Sequence, residues 1–156
     1  MKVKTESILP APSDQRILEF ESNCRITLPE EFKKFIKEYN GAVPETKVFF
    51  DGRSERMVER FLSLLDDFKS DDVNGWYDIE VVLSQIDTRL GDDEDLIGYN
   101  VIPFAALFAG DFVCLDCRKS GIAPVVVWYH EESDDFSPVF STVAASVTEF
   151  FEMLKE

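Results

Sequence analysis

An α+β domain is what the sequence predicts, on three observations. Residues 27–41 and 143–154 carry apolar side chains at helical spacing between local start and stop signals. From Val101 onward the period changes, and short β-branched and aromatic runs alternate with turn residues. The 156 residues are 45% hydrophobic and include fourteen Phe, enough apolar material for a real core. Two helices, a meander of strands and a closing helix give one domain over residues 1–156, with 1–12 as an extended lead-in.

The elements follow in order. Pro10 and Pro12 keep the lead-in extended. Ser13 or Asp14 can cap a first helix that places Ile17, Phe20 and Cys24 on one face. In "TLPEEFKKFIKEYNG", Phe32, Phe35, Ile36 and Tyr39 form a single apolar stripe. Thr27 and Glu30 have capping-box spacing, Pro29 suits the first turn, and Glu30 and Glu31 favour the positive end of the helix dipole. Asn40 and Gly41, both tolerant of left-handed backbone, are expected to stop this helix.

"KVFFDG" reads as a short strand. "RMVERFLSLLD" fits either a second strand or a helix, because Met57, Phe61, Leu64 and Leu65 share a helical face while the alternation is imperfect. "DFKSDDVNG" is a polar connection. "YDIEVVLSQIDTRL" predicts a helix with Ile79, Val82, Leu83 and Ile86 on one side, and "GDDEDLIGYN" an acidic loop. Phe112–Cys117 and Pro124–His130 are strand-like runs joined by "RKSG", a hairpin connection, and "PVFSTV" is a further strand. Val143, Val147, Phe150, Phe151 and Leu154 mark the closing helix, with Ser146 and Glu149 at capping-box spacing.

Charge is the strongest global signal. Thirty-one acidic residues against sixteen basic ones leave a formal charge of −15. Such a surface repels nucleic-acid phosphate and anionic lipid and attracts cationic partners, so direct nucleic-acid binding is the function it disfavours most. No apolar run approaches the roughly 20 residues of a membrane span. "MKVKTESILPAPSD" lacks the apolar segment of a secretory signal, and an odd count of three cysteines fits a reducing compartment, so a cytoplasmic location is expected.

The residue chemistry does not favour catalysis. Cys114 and Cys117 sit in a strand-like run, where positions three apart point to opposite faces. The other soft ligands are Cys24 and His130, so neither zinc nor a redox pair is expected. His130 stands as a lone surface histidine beside Glu131 and Glu132. No nucleophile elbow, zinc-protease helix, phosphate loop or dinucleotide fingerprint occurs. No catalytic, metal-binding or cofactor-binding residue is assigned.

What remains is carboxylate in loops: Asp71–Asp72; Asp92, Asp93, Glu94 and Asp95; and Glu131 and Glu132 with Asp134 and Asp135. None has the ligand register of a calcium loop. A run of this kind is either a solvated surface or a face toward a basic protein partner. The second and third clusters are the candidate contacts.

Two ordered blocks then carry a family resemblance. Leu28, Pro29, Phe32, Phe35, Tyr39, Asn40 and Gly41 match a Leu-Pro, amphipathic helix, Asn-Gly pattern. Ile102, Pro103, Phe104, Gly110, Asp111, Asp116, Val125, Val126 and Trp128 match a later Ile-Pro-Phe, Gly-Asp and Trp-bearing block, and "VAASVTEFFEML" is similar to the terminal helix. The chain thus resembles the SUKH superfamily, whose domain is shared with the fungal cell-wall assembly regulator. Residues 66–100 have no counterpart in that pattern.

The resemblance implies a central, largely antiparallel sheet flanked by N-terminal helices and a C-terminal helix. It favours a strand for "RMVERFLSLLD". It also implies a bacterial immunity protein that neutralises a toxin, often a nuclease, by binding and without cofactor or turnover. The alternative is an intracellular regulator or scaffold with a non-toxin protein partner.

Overall fold

In a computed structural model describing residues 1–71, 73–119 and 121–156, the chain folds around an antiparallel sheet. Asp72 and Ser120, which belong to the first acidic pair and to the "RKSG" connection, lie outside the described residues.

The first helix, α1 (Asp14–Cys24), starts at Ser13, whose hydroxyl accepts the Arg16 amide at 3.1 Å. Ile17, Phe20 and Cys24 are buried as their spacing predicts. Arg16 is buried with them, which no pattern of apolar residues foretells. The next helix, α2 (Glu30–Tyr39), buries Phe32, Phe35 and Ile36.

Two expectations about the ends of α2 are corrected. Pro29 occupies the N-cap and no side chain caps the helix, so Thr27 and Glu30 form no capping box. Asn40 is not left-handed (φ −52°), and Gly41 alone takes that conformation (φ +66°). Asn40 has a different task. Fully buried, it donates to the carbonyls of Pro10 and Leu64 at 2.8 and 2.9 Å, and its oxygen accepts the Leu64 amide at 2.9 Å. One side chain thereby ties the lead-in, the end of α2 and the chain beyond the second strand together, satisfying the buried backbone groups of Leu64.

The strands are β1 (Val48–Phe50), β2 (Glu55–Phe61), β3 (Val101–Leu107), β4 (Phe112–Asp116), β5 (Val125–Trp128) and β6 (Phe140–Ala144). They lie in the sheet in chain order, every neighbouring pair antiparallel. "RMVERFLSLLD" is therefore a strand over most of its length. Its helical look has a cause: a register shift between Val58 and Arg60 turns both Val58 and Phe61 toward the core, three residues apart. Pro103 is tolerated inside the sheet because it stands at another such irregularity, between Pro103 and Ala105.

Every residue of β3 and of β5 is buried, so the middle of the sheet is covered on both faces. One cover is aromatic. Phe32 and Phe35 of α2 meet Phe61, Phe104 and Phe151 at ring separations of 4.3–5.7 Å, and Phe150 packs on Phe104 at 5.8 Å. Phe150 and Phe151 come from α4 (Val147–Met153), capped by Ser146, which accepts the Glu149 amide at 3.1 Å. The Glu149 carboxylate reaches back to accept the Ala145 amide at 2.8 Å, one residue beyond the N-cap amide of the usual reciprocal bond. Val143 belongs to β6 and not to this helix, a further correction. Burial of each large side chain in such a cluster stabilises the fold by about 1.5–3 kcal/mol.

Helix α3 (Ile79–Ile86) lies between β2 and β3 and packs on β3. Its N-cap, Asp78, is fully buried, accepting the amides of Glu80 and Leu65 at 2.9 and 2.8 Å. The Arg16 guanidinium closes over this corner, donating to Asp78 at 3.3 Å, to Glu80 at 2.8 Å and to the Leu65 carbonyl at 2.6 Å. Three segments converge on that charge cluster, and α3 is thereby fixed against α1. From its end, residues 87–100 run out toward the surface.

Candidate functional site

Two loops that are far apart in sequence meet beyond α3. The first is the 87–100 segment leading into β3, and the second is the 129–139 connection between β5 and β6. Arg89 joins them. Its guanidinium donates to the carbonyls of His130 and Ser133, touches the His130 ring nitrogen Nδ1 at 3.1 Å, and lies 5.4 Å over the Trp128 ring. The Trp128 indole returns a bond to the Arg89 carbonyl at 2.9 Å. One residue earlier, the Thr88 hydroxyl donates to Asp135 at 2.9 Å, and the Thr88 carbonyl accepts the Phe136 amide at 2.6 Å.

The 129–139 loop is also held from within. Ser133 is buried; it donates to the Tyr129 carbonyl at 2.7 Å and accepts the Val139 amide at 2.9 Å. Asp134 and Ser137 exchange backbone bonds at 3.1 and 2.9 Å. Phe136, between them, has φ +56°. A bulky residue in that region costs about 1–3 kcal/mol and persists only where surrounding bonds enforce it.

On its other flank the loop rests on a buried charge network. The Asp51 carboxylate accepts from the amides of Arg53 and Ser54, the Tyr129 hydroxyl and the Arg56 guanidinium at 2.8–3.1 Å. Arg56 continues to Asp111 at 2.6 Å, and Asp111 accepts the His130 amide at 2.7 Å. Burial works to raise the Asp51 carboxyl, but the Ser54 and Arg53 amides, Tyr129 and Arg56 outweigh it and hold the group below the usual carboxylate range. Asp111, one of the family-like residues, thus supports the loop.

The eight sequence-predicted contact residues are all exposed, yet they do not form one patch. Asp93 and Glu94 line a cleft of about 350 Å³ together with Phe136. Asp135 is bonded to Thr88, another lining residue. Asp92 and Asp95 share the segment with Asp93, whose side chain accepts the Asp95 amide at 2.9 Å. Asp134 adjoins this cluster in the facing loop. Glu132 points elsewhere, pairing with Arg53 at 2.6 Å while Arg53 stacks on Tyr129 at 4.1 Å. Glu131 is exposed on the same loop.

Sequence reasoning missed Asp87, Tyr99 and Phe136, which also line the cleft, and the apolar residues Leu96 and Ile97 beside the carboxylates. Ile97 is 66% exposed and Phe136 40%. Burial, then the charge of Asp87, raises the Tyr99 hydroxyl, which stays neutral. Gly98 brings the segment against α1. With φ +91° it passes so close to the Cys24 carbonyl that a Cβ would stand 2.3 Å from the oxygen, and the Tyr99 amide bonds that same carbonyl at 2.9 Å.

The thiols are poorly suited to chemistry. Burial pushes Cys117 up to about 11 and Cys24 up to about 12, and raises Cys114 as well. Cys114 is inside β4 and Cys117 just beyond its end. Among the described residues, no group of three or more His, Cys, Asp or Glu side chains is placed to hold a metal ion. A second cleft, about 730 Å³, differs in sign: Arg25, Arg118 and Lys119 line it, although Arg118 is clamped on Asp116 at 2.8 Å. Among the described residues, no helix is long and apolar enough to cross a membrane.

Comparison with known proteins agrees with this architecture. The SUKH_6 family model, described as SMI1-KNR4 cell-wall, matches residues 14–151. A similar protein is the SPbeta prophage-derived uncharacterized protein YokK of Bacillus subtilis (strain 168), 27% identical over 143 residues, covering 88% of this chain and 72% of the relative.

Proposed function

The chain belongs to the SUKH superfamily, and from that premise we propose that it is an immunity-type binding module that neutralises a toxin domain by direct contact. It acts in the cytoplasm, without cofactor and without turnover. The observation that carries this proposal is the ordered acidic face. Asp92–Asp95 and Asp134–Asp135 flank exposed Leu96, Ile97 and Phe136 on loops already fixed by Arg89, Thr88 and Ser133. A partner then binds without ordering these loops, which removes an entropic cost of association.

Charge supports the same reading. A net charge of −15 accelerates encounter with a basic surface and disfavours phosphate, and the phosphate-binding cleft of a nuclease is basic. Prophage derivation of a relative is compatible with a role in conflict between genomes. The test is co-expression with the toxin domain encoded beside this gene. Growth rescue with a co-purifying complex supports the proposal. Lack of both rescue and complex rejects it and leaves a regulator or scaffold of a different partner.

A further inference from the structure

Building on the binding-module reading, we propose that the cleft between residues 87–100 and Phe136 is a receptor pocket for one arginine side chain presented by a protein partner. Its walls combine two features. Asp87, Asp93 and Glu94 supply carboxylates, and Leu96, Tyr99 and Phe136 supply apolar and aromatic surface. No lysine or arginine is among the lining residues, and these three carboxylates enter none of the ion pairs formed by the described residues. The nearest cation in sequence, Arg89, is turned away onto the carbonyls of His130 and Ser133. The cleft therefore presents negative charge to solvent with no internal counter-ion.

Size and shape select the occupant. A volume of about 350 Å³ sits at the low end of the roughly 300–1,000 Å³ typical of small-molecule sites, suited to a single long side chain. An anion is repelled by all three carboxylates. A metal ion is disfavoured because the carboxylates are spread round the wall and not gathered at one point. Between the two cationic side chains, arginine fits better. Its flat, weakly hydrated guanidinium stacks on an aromatic ring and forks onto carboxylates, whereas an ammonium demands fuller hydration. Phe136, displayed in left-handed backbone and bonded to Thr88, provides the ring. The long-range field of the molecule then brings a basic surface close, and the pocket takes one residue of it in register.

The test needs no identified toxin. The ¹⁵N-labelled protein is titrated with the capped tripeptide Gly-Arg-Gly and with its citrulline counterpart, which keeps the shape and removes the charge. Saturable shifts are expected at the amides of Gly91, Gly98, Tyr99 and Phe136, with citrulline binding at least about fivefold more weakly. Phe136→Ala should weaken arginine binding about threefold or more, and Asp93→Asn with Glu94→Gln about tenfold, with melting temperature unchanged because all three side chains are exposed. Shifts that map elsewhere, that are absent, or that are equal for citrulline overturn the pocket. A silent cleft alongside intact toxin rescue overturns the pocket and leaves the binding-module reading standing. A responsive cleft without rescue does the reverse.

Discussion

Replacing Asp51 with asparagine keeps the shape of the side chain and removes its charge, at a point on which the candidate face depends. The carboxylate has no exposed surface and accepts four hydrogen bonds, two from the amides of Arg53 and Ser54 at one oxygen and two from Arg56 and Tyr129 at the other. Asparagine can keep the amide pair. Its NH₂ group, though, meets the Arg56 guanidinium, a donor facing a donor, and Arg56 retains Asp111 at 2.6 Å. Hydrogen bonds to charged groups contribute about 1.5–3 kcal/mol each, and Tyr129 can turn to accept, so the expected loss is roughly 2–4 kcal/mol near neutral pH.

The same substitution predicts a pH dependence whose sign follows from the depressed pKa of Asp51. A carboxyl held below its unfolded value, about 3.9, contributes stability that is complete above that pH and is lost as pH falls through the folded pKa. Asparagine does not titrate. The stability gap between wild type and Asp51→Asn is therefore full near neutral pH and narrows below about pH 4. Urea unfolding followed by circular dichroism at several pH values reads both quantities. A gap under about 1 kcal/mol near neutral pH, or one that stays constant as the medium is acidified, would refute the reasoning.

Two further substitutions test how the chain is tied together. Asn40→Ala leaves the buried amide and carbonyl of Leu64 without partners, and should cost roughly 2–4 kcal/mol in urea unfolding at unchanged m value. Gly98→Ala forces a Cβ against the Cys24 carbonyl at positive φ. It should lower stability by about 1–3 kcal/mol and speed hydrogen exchange at the Tyr99 amide, which bonds that carbonyl.

Much of the fold is legible in the sequence because local signals agree with tertiary need. In α1, α2 and α4 the apolar spacing coincides with the buried face, and in β4 and β5 the β-branched runs coincide with the sheet interior. β2 is ambiguous because its irregular register puts Val58 and Phe61 on one side and imitates a helical period. The role of Asn40 is hidden because an Asn-Gly pair signals a helix stop through backbone conformation, whereas this asparagine acts through its side chain on a strand neighbour. Buried charges such as Arg16, Asp51 and Asp78 are invisible to any pattern that assigns charge to the surface.

The candidate face was half legible for a related reason. Runs such as Asp92–Asp95 announce themselves in composition, and the structure leaves them exposed. Their meeting with Asp135 and Phe136 depends on Thr88 and Arg89, more than forty residues away, and no local periodicity encodes such a contact. Nor does sequence distinguish Glu132, occupied by Arg53, from Asp93, which enters no ion pair among the described residues.

The central claim, that this acidic face receives a basic protein partner, is tested most directly by stopped-flow association with a cognate toxin domain, sought among the genes beside this one, across a range of salt concentrations. Wild type should associate fast at low ionic strength and slow steeply as the screening length contracts to about 8 Å near physiological salt. Charge reversal at Asp92, Asp93, Asp134 and Asp135 should flatten that dependence and abolish rescue of growth. An association rate insensitive to both salt and reversal, with rescue intact, would contradict the account and place the contact on another surface.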